Sequence, residues 1–294
     1  MNFWRHLEQT LTEYTGEPFS IVDHQGVGGG CINEAWIIQG DRHSYFVKTN
    51  RPGLLDMFEA EAEGLTALLD TEAIRAPRPV CWGVAEDRAY LVMEHIRMGG
   101  RQDSRLFGRQ LAQMHRCLGE RFGWSRDNTI GSTPQINDWC DDWLAFWRQR
   151  RLGYQLDLAA RKGLGSGVID KGEMLKEQLG GLFSGHSPKP SPLHGDLWSG
   201  NWSADEQGNP VIFDPAFYYG DHEADLAMME LFGNPGRGFH AAYREVFPID
   251  AGYPQRRDLY NLYHILNHYN LFGGGYGGQA ERMIDRLLAE LRGG

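Results

Sequence analysis

Asp196 and Asn201 stand five residues apart in the segment PLHGDLWSGN (192–201), and a further aspartate, Asp214, follows thirteen residues after Asn201. Gly, Ser, Asp and Asn are ordinary turn residues, so a polar loop is the plain reading of any one of them. The spacing argues for more. His194-Gly195-Asp196 with Asn201 gives H-G-D-x-x-x-x-N, the spacing of the kinase catalytic loop H-R-D-x-x-x-x-N. In that chemistry Asp196 would take the proton of an attacking hydroxyl, and the Asn201 amide oxygen would hold a magnesium ion. Asp214 directly follows the apolar run Val211-Ile212-Phe213. Asp214-Pro215-Ala216 thus stands where a kinase has its DFG triplet, whose Asp binds the metal.

Upstream residues bear on the choice. Gly26-Val27-Gly28-Gly29-Gly30 precedes the first strand read from the pattern, and glycines let backbone amides approach a phosphate. A glycine run alone is more commonly a flexible surface loop, and this one is neither a Walker A loop nor a clean GxGxxG. Lys48 ends the run Tyr45-Phe46-Val47. On the helix that follows, at about 100° per residue, Glu61 falls between Leu65 and Leu68 on the apolar face set by Phe58. Glu59 and Glu63 point to solvent. A lone carboxylate on a buried face needs a partner. Lys48 is that candidate, and a strand–helix Lys–Glu pair is how kinases hold a lysine against nucleotide phosphates.

The elements that must position these residues fall into two groups. Runs at 34–38 and 45–48 around Gly40-Asp41 read as a hairpin. A helix is expected over 54–69, then strands at 79–84 and 89–94 about the Glu86-Asp87-Arg88 turn. Gly99-Gly100 reads as a flexible joint. Beyond it, helices are expected at 104–118, at 138–158 and from 223 to the end, with a strand at 211–213. Residues 161–191 give no clear pattern. The fold class is therefore α+β: a small sheet lobe with one main helix over 1–95, and a larger, mostly helical lobe over 96–294.

Composition narrows the partners. The chain has 294 residues, 41% hydrophobic and 23% charged, with a net charge of −10. That balance fits a globular chain and argues against nucleic acid or an anionic membrane surface as partner. Four scattered cysteines without zinc spacing point to a reducing compartment. The N-terminus lacks a signal-peptide core and no apolar run reaches the ~20 residues of a membrane span. A cytoplasmic protein, monomer or homodimer, is expected.

Several residues take the plainer reading. His115 is expected to be a satisfied core histidine, His194 a loop-holding hydrogen-bonder and Asp225 a helix-start or loop-anchoring carboxylate. Trp139, Trp143 and Trp147 recur as a core-facing stripe. Asp138, Asp141 and Asp142 could receive an amine, though a solvated helix face explains at least two of them. For Trp198, two residues after Asp196, packing against a sugar's C–H face and a merely structural role stay open.

At this point the chain resembles the fructosamine kinase (ketosamine 3-kinase) family, a branch of the aminoglycoside-phosphotransferase-like kinases. The resemblance rests on "GGGCINEAW", "FVKTN", "FEAEAEGLTALL", "VMEH", "INDWCDDWLAFWRQRRLGYQLDL", "LHGDLWSGN" and "DPAFYYGDHEADLAM", in family order from roughly residue 25 to residue 275. It implies a two-lobed, protein-kinase-like fold, with an antiparallel sheet in the small lobe, binding ATP and Mg²⁺ in the interlobe cleft. It also implies phosphorylation of the 3-hydroxyl of a ketosamine, free or on a glycated protein lysine, with deglycation as the outcome. Met93 would be the gatekeeper, and the backbones of Glu94 and Ile96 would meet the adenine edge. Asp214-Pro215-Ala216 departs from DFG and no APE segment follows, so no regulated activation loop is expected. Aminoglycoside, choline or homoserine kinases are the alternative within the superfamily, and an idle nucleotide-binding scaffold is the alternative outside it.

Cys31 lies in the glycine loop, where exposed amides favour a thiolate. Oxidation there, or a disulfide to a second subunit, would block nucleotide binding; a space-filling residue is the competing reading. Under the first reading, activity falls on oxidation in the parent and not in Cys31→Ser. An equal response from the mutant would rule the switch out.

Overall fold

The run Ala89-Tyr90-Leu91-Val92-Met93 is buried throughout, so the sheet that contains it is covered on both faces. A computed structural model of the chain describes residues 2–28 and 33–293. Its first part comprises α1 (Phe3–Thr15), β1 (Asp23–Val27), β2 (Glu34–Gln39), β3 (Ser44–Asn50), α2 (Leu55–Leu69), β4 (Pro79–Ala85) and β5 (Arg88–Glu94). The strands form one antiparallel sheet in the order β1-β2-β3-β5-β4.

Alternation sends successive side chains to opposite faces. Tyr90 and Val92, with Val47 and Ile38, pack on Phe3, Leu7 and Leu11 of α1. Ala89, Leu91 and Met93 share a core with Phe58, Leu65 and Leu68 of α2. Lys48, next to Val47 and opposite Leu91 in register, is thereby turned to the α2 side. The small lobe carries a helix on each face, where one main helix was expected.

The second part comprises α3 (Ser104–His115), the hairpin β6 (Asn128–Ile130) and β7 (Thr133–Gln135), α4 (Trp143–Phe146), a π-helical turn at Trp147–Gly153, α5 (Tyr154–Arg161) and α6 (Ser166–Gln178). After these come β8 (Ser191–Leu193), β9 (Trp202–Ala204), β10 (Pro210–Ile212), β11 (Tyr218–Gly220), α7 (Glu223–Leu231), α8 (Phe239–Val246), α9 (Tyr253–Phe272) and α10 (Tyr276–Gly293). Short antiparallel pairs β8–β11 and β9–β10 flank the segments that hold Asp196, Asn201 and Asp214.

Four expectations need correction. The helix over 138–158 starts only at Trp143. Cys140 exchanges backbone hydrogen bonds with Phe122, and Asp142 caps the helix by accepting from the Ala145 amide at 2.6 Å. Trp139 therefore leaves the stripe and is exposed, while Trp143 and Trp147 are buried. Asp138 pairs with Arg150 and Asp141 with Arg121. The glycine run begins inside β1, not in a loop before the first strand. Residues 161–191, patternless in sequence, hold α6 and a 3₁₀ turn at Leu179–Phe183.

The fourth correction concerns Gly99-Gly100, which is pinned to its neighbour. The Gly99 amide donates to the Ala204 carbonyl at 3.1 Å, and the Glu206 amide to the Arg97 carbonyl at 3.1 Å. Gly99 sits at φ +126°, and a Cβ on Gly100 would lie 1.9 Å from the Asp205 carbonyl oxygen. Glycine is required here for close approach. Gly100→Ala is expected to cost about 2–4 kcal/mol, read as a drop in melting temperature. Gly53→Ala, with open space around its Cβ, should change it little; equal effects would refute the packing argument.

Candidate active site

The loop holding Asp196 is built around one buried carboxylate. Asp225, in the first turn of α7, accepts from the His194 amide at 2.7 Å and the Gly195 amide at 2.9 Å, and lies 3.1 Å from His115 Nε2. Burial pushes its pKa up, but His115, His194 and the Gly195 amide outweigh that and hold it below the usual value. His115 also meets the Tyr243 hydroxyl at 2.7 Å, so it is a satisfied core histidine as expected. His194 Nε2 lies 2.8 Å from the Phe213 carbonyl, tying the two halves of the site together.

The same packing explains the glycine of H-G-D. Gly195 sits at φ +81°, and a Cβ there would fall 2.0 Å from the Ala216 carbonyl oxygen. Ala216 also donates its amide to the His194 carbonyl at 2.8 Å. An arginine, as in H-R-D, has no room.

Lys48 is almost wholly buried, and its Nζ lies 2.5 Å from both Glu61 and Asp214. Burial alone would lower its pKa, yet the Asp214 and Glu61 carboxylates raise it above the ordinary value. It is therefore a fixed cation. Burial pushes Glu61 up, with Lys48 opposing. Asp214 adopts φ +60°, a left-handed conformation unusual for a non-glycine residue, which costs on the order of 1–3 kcal/mol and recurs at functional sites.

Asn201, 5% exposed, donates through Nδ2 to the Asp196 carbonyl at 2.8 Å and its carboxylate at 3.2 Å. Asp196 opens onto the cleft yet is enclosed enough that desolvation, with the nearby Asp214 charge, pushes its pKa up to about 7 against the Asn201 hydrogen bond. A carboxylate poised near neutrality can accept a proton from a hydroxyl and release it again.

One cleft of about 730 Å³ gathers the expected residues: Gly28, Lys48, Glu61, Met93, Glu94, Ile96, Asp196, Trp198, Asn201 and Asp214 all line it. Gly29, Gly30 and Cys31 lie outside the described residues. Met93 and Ile96 are buried at its apolar end. The Glu94 amide donates to the Arg78 carbonyl at 2.8 Å and its side chain accepts from Arg75 at 2.9 Å. Trp198, 41% exposed, folds its indole over Gly200.

No local residue pattern marks the β6–β7 hairpin. Asn128 and Thr129 line the cleft. Asn128 Nδ2 donates to the Phe217 carbonyl at 2.8 Å, and Gln135 Nε2 to the Ala216 carbonyl at 3.1 Å. Three-residue strands carry no period, and these partners are more than eighty positions away. A separate group, His186, Asp221 and Glu223, has its carboxylates engaged by Tyr260 and Arg256 and lies off the cleft.

A sheet lobe and a helical lobe, with a lysine–glutamate pair from one facing an HxD…N…D set from the other, define a kinase-like fold. The fructosamine kinase family model matches residues 3–290. A protein-ribulosamine 3-kinase of Arabidopsis thaliana chloroplasts is 47% identical over 289 residues, 97% of this chain and 88% of that one. A "probable ketoamine kinase" of Synechocystis is 46% identical over 97% of both chains. Among solved structures, a candidate fructosamine-3-kinase of Haemophilus somnus has a TM-score of 0.88 at 30% identity, over 98% of this chain and 100% of that one. An aminoglycoside phosphotransferase, solved with ADP and hygromycin B, has a TM-score of 0.63 at 18% identity, over 98% of each chain, a likeness of fold. The chain belongs to the fructosamine kinase family.

The raised proton affinity of Asp196 has a stability consequence. Between an ordinary pKa of about 3.9 and the folded value of about 7, the folded chain keeps a proton that the unfolded chain loses, so stability falls as pH rises through that window. Asp196→Asn is expected to relieve about 1–3 kcal/mol, allowing for residual solvent access. Its melting temperature should exceed the parent's by more at pH 8 than at pH 5. A gain independent of pH would refute the assigned shift.

Proposed function

We propose that this protein is an ATP- and Mg²⁺-dependent kinase that phosphorylates the 3-hydroxyl of ketosamines: fructosamine, ribulosamine or erythrulosamine adducts, free or on glycated lysines. Loss of the sugar after phosphorylation makes the outcome deglycation. The observation that carries the reading is the meeting of Lys48, Glu61, Asp196, Asn201 and Asp214 in one cleft. Relatives named for ketoamine and ribulosamine substrates support the acceptor.

The residues present fit both groups. The apolar end at Met93 and Ile96 suits a purine, with the Glu94 carbonyl and the Ile96 backbone at its edge. Gly28 lines the cleft, where its backbone could approach the phosphates; Gly29 and Gly30, expected to share that role, lie outside the described residues. Asn201 and Asp214 supply the hard oxygen donors that magnesium prefers. When bound, the metal ion neutralises charge on the phosphates as the γ-phosphoryl group leaves. Lys48, held by Glu61, sets a fixed positive charge against the nucleotide. Asp196 accepts the proton of the acceptor hydroxyl and orients its oxygen. Trp198 lines the same cleft, and its indole face would offer the sugar a packing surface. We place the lobe boundary between residues 95 and 96. Scattered cysteines, and the absence among the described residues of a helix long and apolar enough to cross a membrane, support a cytoplasmic location.

ATP turnover should be seen with lysine adducts of erythrulose, ribulose or fructose, and not with aminoglycosides or choline; the reverse would shift the acceptor class. Asp196→Asn should lower kcat by at least roughly 10³-fold while nucleotide affinity survives. Lys48→Ala and Asp214→Ala should weaken nucleotide–metal binding itself. Equal loss of nucleotide binding in all three would refute this division of roles.

A further inference from the structure

Helix α2 is held from two sides. Glu61 meets Lys48 on one. Asp56, Glu59 and Glu63, at i, i+3 and i+7, form a ridge roughly 170° round the helix from it at 100° per residue. Arg126, in the loop before β6, grips that ridge. Its Nη1 donates to Glu63 at 2.6 Å. Its Nη2 pairs with the Asp56 carboxylate, donates to the Asp56 carbonyl at 3.3 Å and lies 3.9 Å from Glu59.

The mount of Arg126 is rigid. Its carbonyl accepts from Asn137 Nδ2 at 3.2 Å, and the Asp127 carboxylate accepts from the Asn137 amide at 2.7 Å. Asn137 Oδ1 in turn accepts from the fully buried Arg151 at 2.7 Å. Trp124, two residues before Arg126, packs edge-on against Phe217 at 5.3 Å, just past Asp214.

We propose that Arg126 is a positioning residue for the Lys48–Glu61 pair, a permanent clamp between the lobes that sets the rotation of α2. The inference rests on Lys48 being the nucleotide's phosphate ligand. Apolar packing fixes where α2 lies: a Cβ on Gly64 would sit 3.0 Å from Phe217 Cβ. It fixes rotation less well, because apolar contact is non-directional. A turn of ~20° moves a side-chain tip ~5–6 Å from the helix axis by ~2 Å, enough to break the contact of Glu61 with Lys48. Exposed ion pairs are individually weak. Here one guanidinium, 21% exposed, serves three carboxylates along two turns of one helix.

Nucleotide dissociation constants, acceptor KM and melting curves of the full chain test this. Arg126→Ala should weaken nucleotide binding roughly 5- to 20-fold and leave acceptor KM unchanged. On a Glu61→Ala background the same change should cost nothing further, because the clamp acts through Glu61. Parental nucleotide affinity in Arg126→Ala, or a full additional loss on the Glu61→Ala background, overturns the proposal. If Arg126→Ala does not fold, the exchange of Arg126→Glu with Glu63→Arg should recover nucleotide affinity relative to Arg126→Glu alone, and no recovery overturns the proposal equally. Lys48→Ala separates the two readings. Undiminished nucleotide affinity there refutes the site, whereas a weak Lys48→Ala beside a tight Arg126→Ala refutes only the clamp.

Discussion

A single buried ammonium joins the parts of this molecule that have to meet. Lys48 comes from β3, Glu61 from α2 and Asp214 from the far side of the cleft, and the Lys48 side chain touches both carboxylates. An isolated charge at that depth would be costly, and two partners compensate it. Removing either partner leaves the remainder poorly compensated, so the interaction constrains sheet, helix and the segment that carries Asp214 at once. The left-handed backbone at Asp214 belongs to the same constraint: strain of this kind persists only where its surroundings enforce it.

Asp225 plays the matching part in the helical lobe. It takes the amides of His194 and Gly195, which frees the loop to present Asp196 outward. Two carboxylates thus differ by environment. Asp225, satisfied by donors, is held as an anion, while desolvation and the nearby Asp214 charge let Asp196 keep its proton up to about neutral pH against the opposing Asn201 hydrogen bond. One anchors and the other is suited to exchange a proton.

Much of this was legible in the sequence because the informative residues sit at short, fixed spacings. The Lys48–Glu61 pair followed from a period of 3.6 that put one glutamate on an apolar face. Asp196, Asn201 and Asp214 followed from a spaced motif, and the loop-anchoring reading of Asp225 from its place at a helix start. What stayed hidden depends on distant pairing. The β6–β7 hairpin is short and partnered across eighty positions. The Trp stripe misled because Cys140 pairs with Phe122, a tertiary contact that overrides a local period. Gly99-Gly100 misled differently: glycine signals flexibility or close approach equally, and only the Asp205 carbonyl beside Gly100 decides.

The route from Asp214 to α7 bears on regulation. Only residues 215–222 separate them, and they are fastened along their length. Ala216 bonds to His194, the carbonyls of Ala216 and Phe217 accept from Gln135 and Asn128, and Tyr218–Gly220 pairs with β8. A switchable loop needs a segment that can exist in two arrangements of similar energy. Here the Ala216 amide, the Ala216 and Phe217 carbonyls and the Tyr218–Gly220 strand are already partnered within the helical lobe, and α2 rests against the same segment through Gly64. The departure from DFG and the missing APE segment find their physical counterpart in this short, strapped connection. Assembly of this segment is then built into folding itself.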